Sequence, residues 1–73
     1  MHDRIAIDTE VCHGKPVVRG TRVPVALVLG SLAGGMSFEE IQAEYDLVRE
    51  DILAALRFAE SIVEQDRYFS LTK

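Results

Sequence analysis

A chain of 73 residues with a net charge of −4 makes one domain, and at that length it buries only about 60–65% of the surface its unfolded form exposes. A single core of this size rarely supplies more than about 3–5 kcal/mol, and Cys12, the only cysteine, excludes an internal disulfide, so a partner subunit is expected. The lone thiol and the lack of a secretory pattern at Met1-His2-Asp3-Arg4 point to the cytoplasm, and the acidic balance excludes a strong non-specific nucleic-acid binder.

The charge is unevenly placed. Residues 1–24 hold four cations against three carboxylates, whereas residues 25–73 hold four against nine. The front end is mildly basic and the body acidic.

Taken in chain order, Arg4-Ile5-Ala6-Ile7 alternates polar and apolar residues, and Val17-Val18 with Val23 offers β-branched partners for a small antiparallel pairing. Between them, Asp8 is placed to cap a single turn through Val11, which Gly14 closes. The stretch 14–25 packs Gly14, Lys15, Pro16, Arg19, Gly20, Arg22 and Pro24 into twelve positions. It reads as loop, short strand, tight turn, short strand and helix start, with Pro24 suited to the first helical position. So defined a backbone, with charge of one sign, reads as a contact surface.

From Pro24 the period becomes helical. Val25, Val28, Leu29 and Leu32 share one face, and Gly34-Gly35 ends the helix. The run 23–36 is interrupted by Pro24, Gly30, Ser31, Gly34 and Gly35 and is too short to span a bilayer. Ser37-Phe38-Glu39-Glu40 forms a capping box opening a second, short helix with Phe38, Ile41 and Tyr45 on one face.

Asp46-Leu47-Val48 connects to a third helix from near Arg49 to about Asp66, with Glu50 and Asp51 at the positive end of its dipole. Its main apolar stripe is Ile52, Ala55, Leu56, Ala59 and Val63, widened by Phe58 and Ile62. Three short helices have little area to cover, so Phe58 and Ile62 are expected at a homodimer interface.

A short helix, a tight turn and a longer helix after an apolar first helix form a three-helix helix-turn-helix pattern. The fold expected is mainly α, homeodomain-like, with a short N-terminal β element. Residues 1–23 form the β element and glycine-rich loop, 24–66 the trihelical core and 67–73 a C-terminal tail. Whether the third helix reads DNA stays open: Arg49 is a candidate base contact, but Glu50 and Asp51 beside it suit a groove of phosphates poorly. Lys15, Arg19 and Arg22 are better placed for phosphate contact, with a structural role in fixing the turn as the alternative, above all for Gly20 and Thr21.

Other chemistries fall away. A phosphate-binding P-loop needs glycine where Thr9 stands and Ser or Thr where Pro16 stands. Cys12-His13 lacks the further ligands of a metal site and the geometry of a nucleophile pair. The acidic residues scatter over helix faces rather than pairing for catalysis. No enzyme, cofactor or metal is expected.

The residues Asp8, Val11-Cys12, Gly14-Lys15-Pro16, Val18, Gly20-Thr21-Arg22-Val23 and Val25 carry a resemblance. So do Gly35-Met36-Ser37, Glu40-Ile41, Tyr45, Leu47, Glu50-Asp51-Ile52 and Ala54-Ala55-Leu56. Over about residues 5–60 the chain resembles the small bacterial and archaeal family called domain of unknown function 433. The resemblance implies an antitoxin encoded beside a PIN-type nuclease toxin, neutralising that nuclease and binding its own operator DNA. The alternative is a protein-interaction or dimerisation module whose helix-turn-helix does not bind DNA. Against the family pattern, Thr9 stands where proline is common, Asp46 where Tyr-Pro is common, and Val48 where Ser or Thr would cap the third helix. Losing that cap costs about 0.5–2 kcal/mol unless Asp46 or water substitutes. Beyond the resemblance, Arg67, Tyr68 and Phe69 are more aromatic than a solvated tail needs. They are expected to anchor the nuclease, with Arg67 approaching its acidic centre, or else to fold back on the dimer's own helices.

Overall fold

The computed structural model describes the backbone of residues 3–71 and the side chains of residues 3–65. Two short strands and three helices succeed one another: β1 (Ile5–Ala6), β2 (Val17–Val18), α1 (Val25–Ala33), α2 (Phe38–Tyr45) and α3 (Arg49–Leu71). The fold is mainly α, with the small antiparallel sheet at its N-terminal end. Each helix packs on the other two, and β1 also rests on α3.

The sheet register pairs Ile5 with Val18 and Ala6 with Val17, which turns Ile5 and Val18 into the core. Beyond β2 the chain reverses at Gly20, whose φ of +82° is a conformation other residues rarely adopt. A Cβ there would meet nothing within 4 Å, so backbone conformation alone calls for glycine. Thr21 locks the reversal: its Oγ1 donates to the Val18 carbonyl at 2.7 Å and accepts from the Val23 amide at 2.9 Å. The Val23 segment returns beside β2, with the Val18 amide donating to the Val23 carbonyl at 2.9 Å and a bridge between Val17 and Pro24. Pro24 itself is extended, with ψ 144°, and α1 starts one residue later at Val25. The expected helical position for Pro24 therefore shifts: its pairing with Val17 holds it in the β region.

Asp8 does organise a turn, through the Val11 amide on its carbonyl and the Glu10 amide on its Oδ1. The chain then makes a short left-handed turn, Cys12–Gly14, in which Cys12, His13 and Gly14 all have positive φ. At Cys12 and His13 that conformation carries local strain, and the Cys12 thiol donates to the Arg22 carbonyl at 3.5 Å.

Gly35, at φ +101°, ends the first helical segment, and the Met36 amide reaches back to the Ser31 carbonyl. The capping box of α2 is formed in both directions: the Glu40 amide donates to Ser37 Oγ at 3.1 Å and the Ser37 amide to Glu40 Oε1 at 2.8 Å. Asp46 takes the left-handed conformation at the end of α2, which turns Leu47 into the core.

The core is built from Val25 and Val28 of α1, Ile41 of α2 and Ile52, Ala54 and Ala55 of α3, with Ile5, Val18 and Leu47. Two expectations for α3 change. The helix extends to Leu71, five residues beyond Asp66, because no glycine or proline interrupts it; residues 67–71 are helix, not tail. And the buried side of α3 runs through Ala54, Ala55 and half-buried Phe58, leaving Leu56 at 38% and Val63 at 66% exposure outside. Alanines suit the inner face because α1 and α2 both close on it.

Candidate functional site

Three surfaces carry the residues singled out by the sequence. The first is the basic loop between β1 and α1. Arg19 is committed to the fold: its Nε donates to the Asp3 carbonyl at 2.5 Å and its Nη2 to the Ile5 carbonyl at 3.2 Å, bracing β1 against β2. Lys15 and Arg22 are exposed, and neither enters an ion pair among the described residues. Of the three loop cations, these two face solvent with their charge available.

The second surface is the start of α3. Arg49 lays its guanidinium over the Phe38 ring, 4.7 Å from the centroid, an arrangement that joins the first turns of α2 and α3. Exposed Glu50 stands next to it. Asp51 supplies the reciprocal half of a capping box: its Oδ2 accepts the Val48 amide at 3.1 Å, while its own amide donates to the Val48 carbonyl at 3.0 Å. Its Oδ1 pairs with Arg4 of the N-terminal segment at 3.0 Å. The side-chain acceptor that Ser or Thr would offer the first-turn amides is absent at Val48, but a carboxylate three residues on forms the back half of a capping box and fixes the chain at the start of α3. The signal for it in the sequence is an Asp three places after Val48.

The third surface is an apolar groove of about 340 Å³. Pro24 together with Val25, Ala26 and Leu29 of α1 forms one wall. Phe58, Ala59, Ile62 and Val63 of α3 form the other, and Lys15 with Pro16 closes one end. This brings Lys15, a candidate phosphate contact, together with Phe58 and Ile62, the candidates for a dimer interface. Phe58 is half-buried and packs on the protomer's own core, so it serves the fold as well as the groove, while Ile62 remains 43% exposed. The α1 wall is hard to see in the sequence, because Ala26 is too small to mark a face and the periodicity assigns Leu29 to the core.

The side chains of Arg67, Tyr68 and Phe69 lie outside the described residues. Among the described residues, no group of three or more His, Cys, Asp or Glu is placed to hold a metal ion, and no helix is long and apolar enough to cross a membrane.

Strand order, capped short helix, turn and long helix define a small α-rich protein with an N-terminal β-hairpin-like element. The chain belongs to the family described as protein of unknown function (DUF433), whose model matches residues 5–59. It is also similar to a solved structure, that of a DUF433 member protein from Anabaena variabilis ATCC 29413, at 35% identity and a TM-score of 0.77. That match covers 92% of this chain and 68% of the other. A search of curated proteins finds no match.

Proposed function

We propose that this chain is an antitoxin: a non-enzymatic, homodimeric, cytoplasmic protein that neutralises a PIN-type nuclease by binding it. The observation that carries this reading is the uncovered apolar surface running from the groove onto α3. A helix of 23 residues is about 34 Å long at 1.5 Å per residue, yet among its described side chains, which run to Gln65, the fully buried ones end at Ala55. Leu56, Ile62 and Val63 are left exposed, which a domain of this size tolerates best when a partner covers them. The partner's class is what the resemblance carried by the motifs implies.

In this reading operator contact runs through Lys15 and Arg22, with Arg19 holding the loop in shape. Arg49 contributes little to base reading, since its guanidinium rests on Phe38 beside Glu50 and Asp51. That same observation favours the second reading, an interaction module that leaves DNA alone. Co-expression with the nuclease encoded beside it tests the antitoxin reading: the two proteins should co-purify, and a nuclease that elutes alone contradicts it. A salt titration of DNA binding separates the two readings, since phosphate contact must weaken steeply with salt.

A further inference from the structure

We propose that Arg19 guards the open edge of the sheet: by holding the carbonyls of Asp3 and Ile5, it keeps β1 from pairing edge to edge with the β1 of a second copy. The functional reading above leaves this edge unassigned, and among the described residues none of β1 lines the groove between α1 and α3.

The ladder fixes which way each backbone group of β1 points. The Arg19 amide donates to the Arg4 carbonyl at 2.7 Å, and the register pairs Ala6 with Val17, so the backbone groups of Arg4 and Ala6 face β2. Direction alternates along an antiparallel strand, and those of Ile5 and Ile7 therefore face away from it. The far side of β2 is covered by the Val23 segment, which leaves the outer side of β1 as the place where the sheet ends. Such an edge is a template for another strand.

Left bare, this edge would be self-complementary. A second β1 running antiparallel about a two-fold axis at Ala6 would set the Ile7 amide of each copy opposite the Ile5 carbonyl of the other, so the contact would be made twice. Ile7, at 64% exposure, would add an apolar side chain beside it. Arg19 opposes this pairing in two ways. Its backbone sits on the β2 side, yet its side chain reaches across β1, where Nη2 donates to the Ile5 carbonyl at 3.2 Å and Nε to the Asp3 carbonyl at 2.5 Å. An added strand would have to displace those charge-assisted bonds. A two-fold approach would also bring two guanidinium groups together at the axis, and like charges set against each other suppress a pairing.

Arg19→Ala tests this, with Arg19→Gln beside it, whose neutral amide keeps a donor for one of the carbonyls. Both are compared with wild type by sedimentation velocity up to high micromolar concentration, with circular dichroism to report the fold and hydrogen exchange to follow the Ile7 amide. Arg19→Ala should sediment as a larger species than wild type at the same concentration, and its Ile7 amide should exchange about tenfold more slowly as that species forms. Arg19→Gln should show the same change more weakly. Adding Ile7→Pro removes the donor at an edge position that tolerates proline and should return Arg19→Ala to the wild-type size. Whichever variants fold, protection of the Ile7 amide decides. A folded variant of Arg19 that matches wild type in size, or one that associates without protecting Ile7, would overturn the inference. So would loss of the fold in both Arg19 variants, which would make Arg19 a brace and nothing more. All of these are read without nuclease or DNA, so they stand or fall apart from the antitoxin reading.

Discussion

Arg4 and Asp51, 47 residues apart, form an ion pair at 3.0 Å that ties the N-terminal segment to the first turn of α3. The same carboxylate accepts the Val48 amide, so one side chain both caps the helix and anchors the strand. The two functions differ in weight. Arg4 is 50% exposed and Asp51 14%, and a pair so open to water contributes about 0.2–1 kcal/mol, whereas a cap contributes about 1 kcal/mol.

Asp51→Ala should therefore destabilise the protein by about 1–2 kcal/mol, lowering the melting temperature by about 4–8 °C per kcal/mol for a domain this small. Asp51→Asn keeps an acceptor for the Val48 amide and should lose less; Arg4→Ala should cost no more than the ion pair. Urea melts of the three variants check the order. Equal losses for Asp51→Ala and Arg4→Ala would mean that the cap contributes nothing.

The loop cations should separate by role. Arg19→Ala removes two donors, Nε to the Asp3 carbonyl and Nη2 to the Ile5 carbonyl, and should destabilise the fold by about 1–2 kcal/mol. Lys15→Ala and Arg22→Ala should leave stability within about 0.5 kcal/mol. If the chain binds DNA, the double variant should weaken binding across all sequences and flatten the salt slope by about one unit per lost phosphate contact. The contrary pattern, with Arg49→Ala abolishing sequence preference and the double variant binding normally, would make α3 the reader.

Two glycines should respond in opposite directions. Gly20→Ala forces a side chain into left-handed backbone and should cost about 1–2 kcal/mol, with Gly20→Asn costing less. Gly30 lies inside α1, where a Cβ would meet open space, so Gly30→Ala should raise stability by about 0.5–1 kcal/mol. Differential scanning calorimetry on both distinguishes backbone strain from packing. A stabilised Gly20→Ala would show that the turn relaxes.

The elements of the fold are legible in local signals. Ser37 and Glu40 announce α2, the glycines bound α1, and the β-branched residues of β2 call for a sheet. Fine placement depends on contacts that the periodicity does not contain. Pro24 moves out of the helix because Val17 holds it. Leu56 and Val63 leave the core because the inner face of α3 narrows to Ala54 and Ala55. Continuation to Leu71 goes with the lack of glycine or proline after Asp66, in a stretch that carries no apolar period. At the candidate site, Lys15 and Ile62 are visible one by one. Their meeting in one groove is not, since it needs the loop, α1 and α3 placed in space.

The residues beyond Glu64 give a sharper partition of the molecule. The core described for the protomer draws on α3 residues no later than Phe58, so truncation after Glu64 should leave a folded protein with its helical signal reduced in proportion to the residues removed. If Arg67, Tyr68 and Phe69 anchor the nuclease, the shortened chain should fail to co-purify with it. Retained co-purification, or loss of the fold, would count against that anchor.

The most direct test of the antitoxin reading is an RNA-cleavage assay of the neighbouring PIN-type nuclease titrated with the full-length chain. Cleavage should fall in proportion to added chain and cease when the binding sites are filled at stoichiometric amounts, well above the dissociation constant. Undiminished cleavage in a large excess of folded, dimeric chain would contradict it.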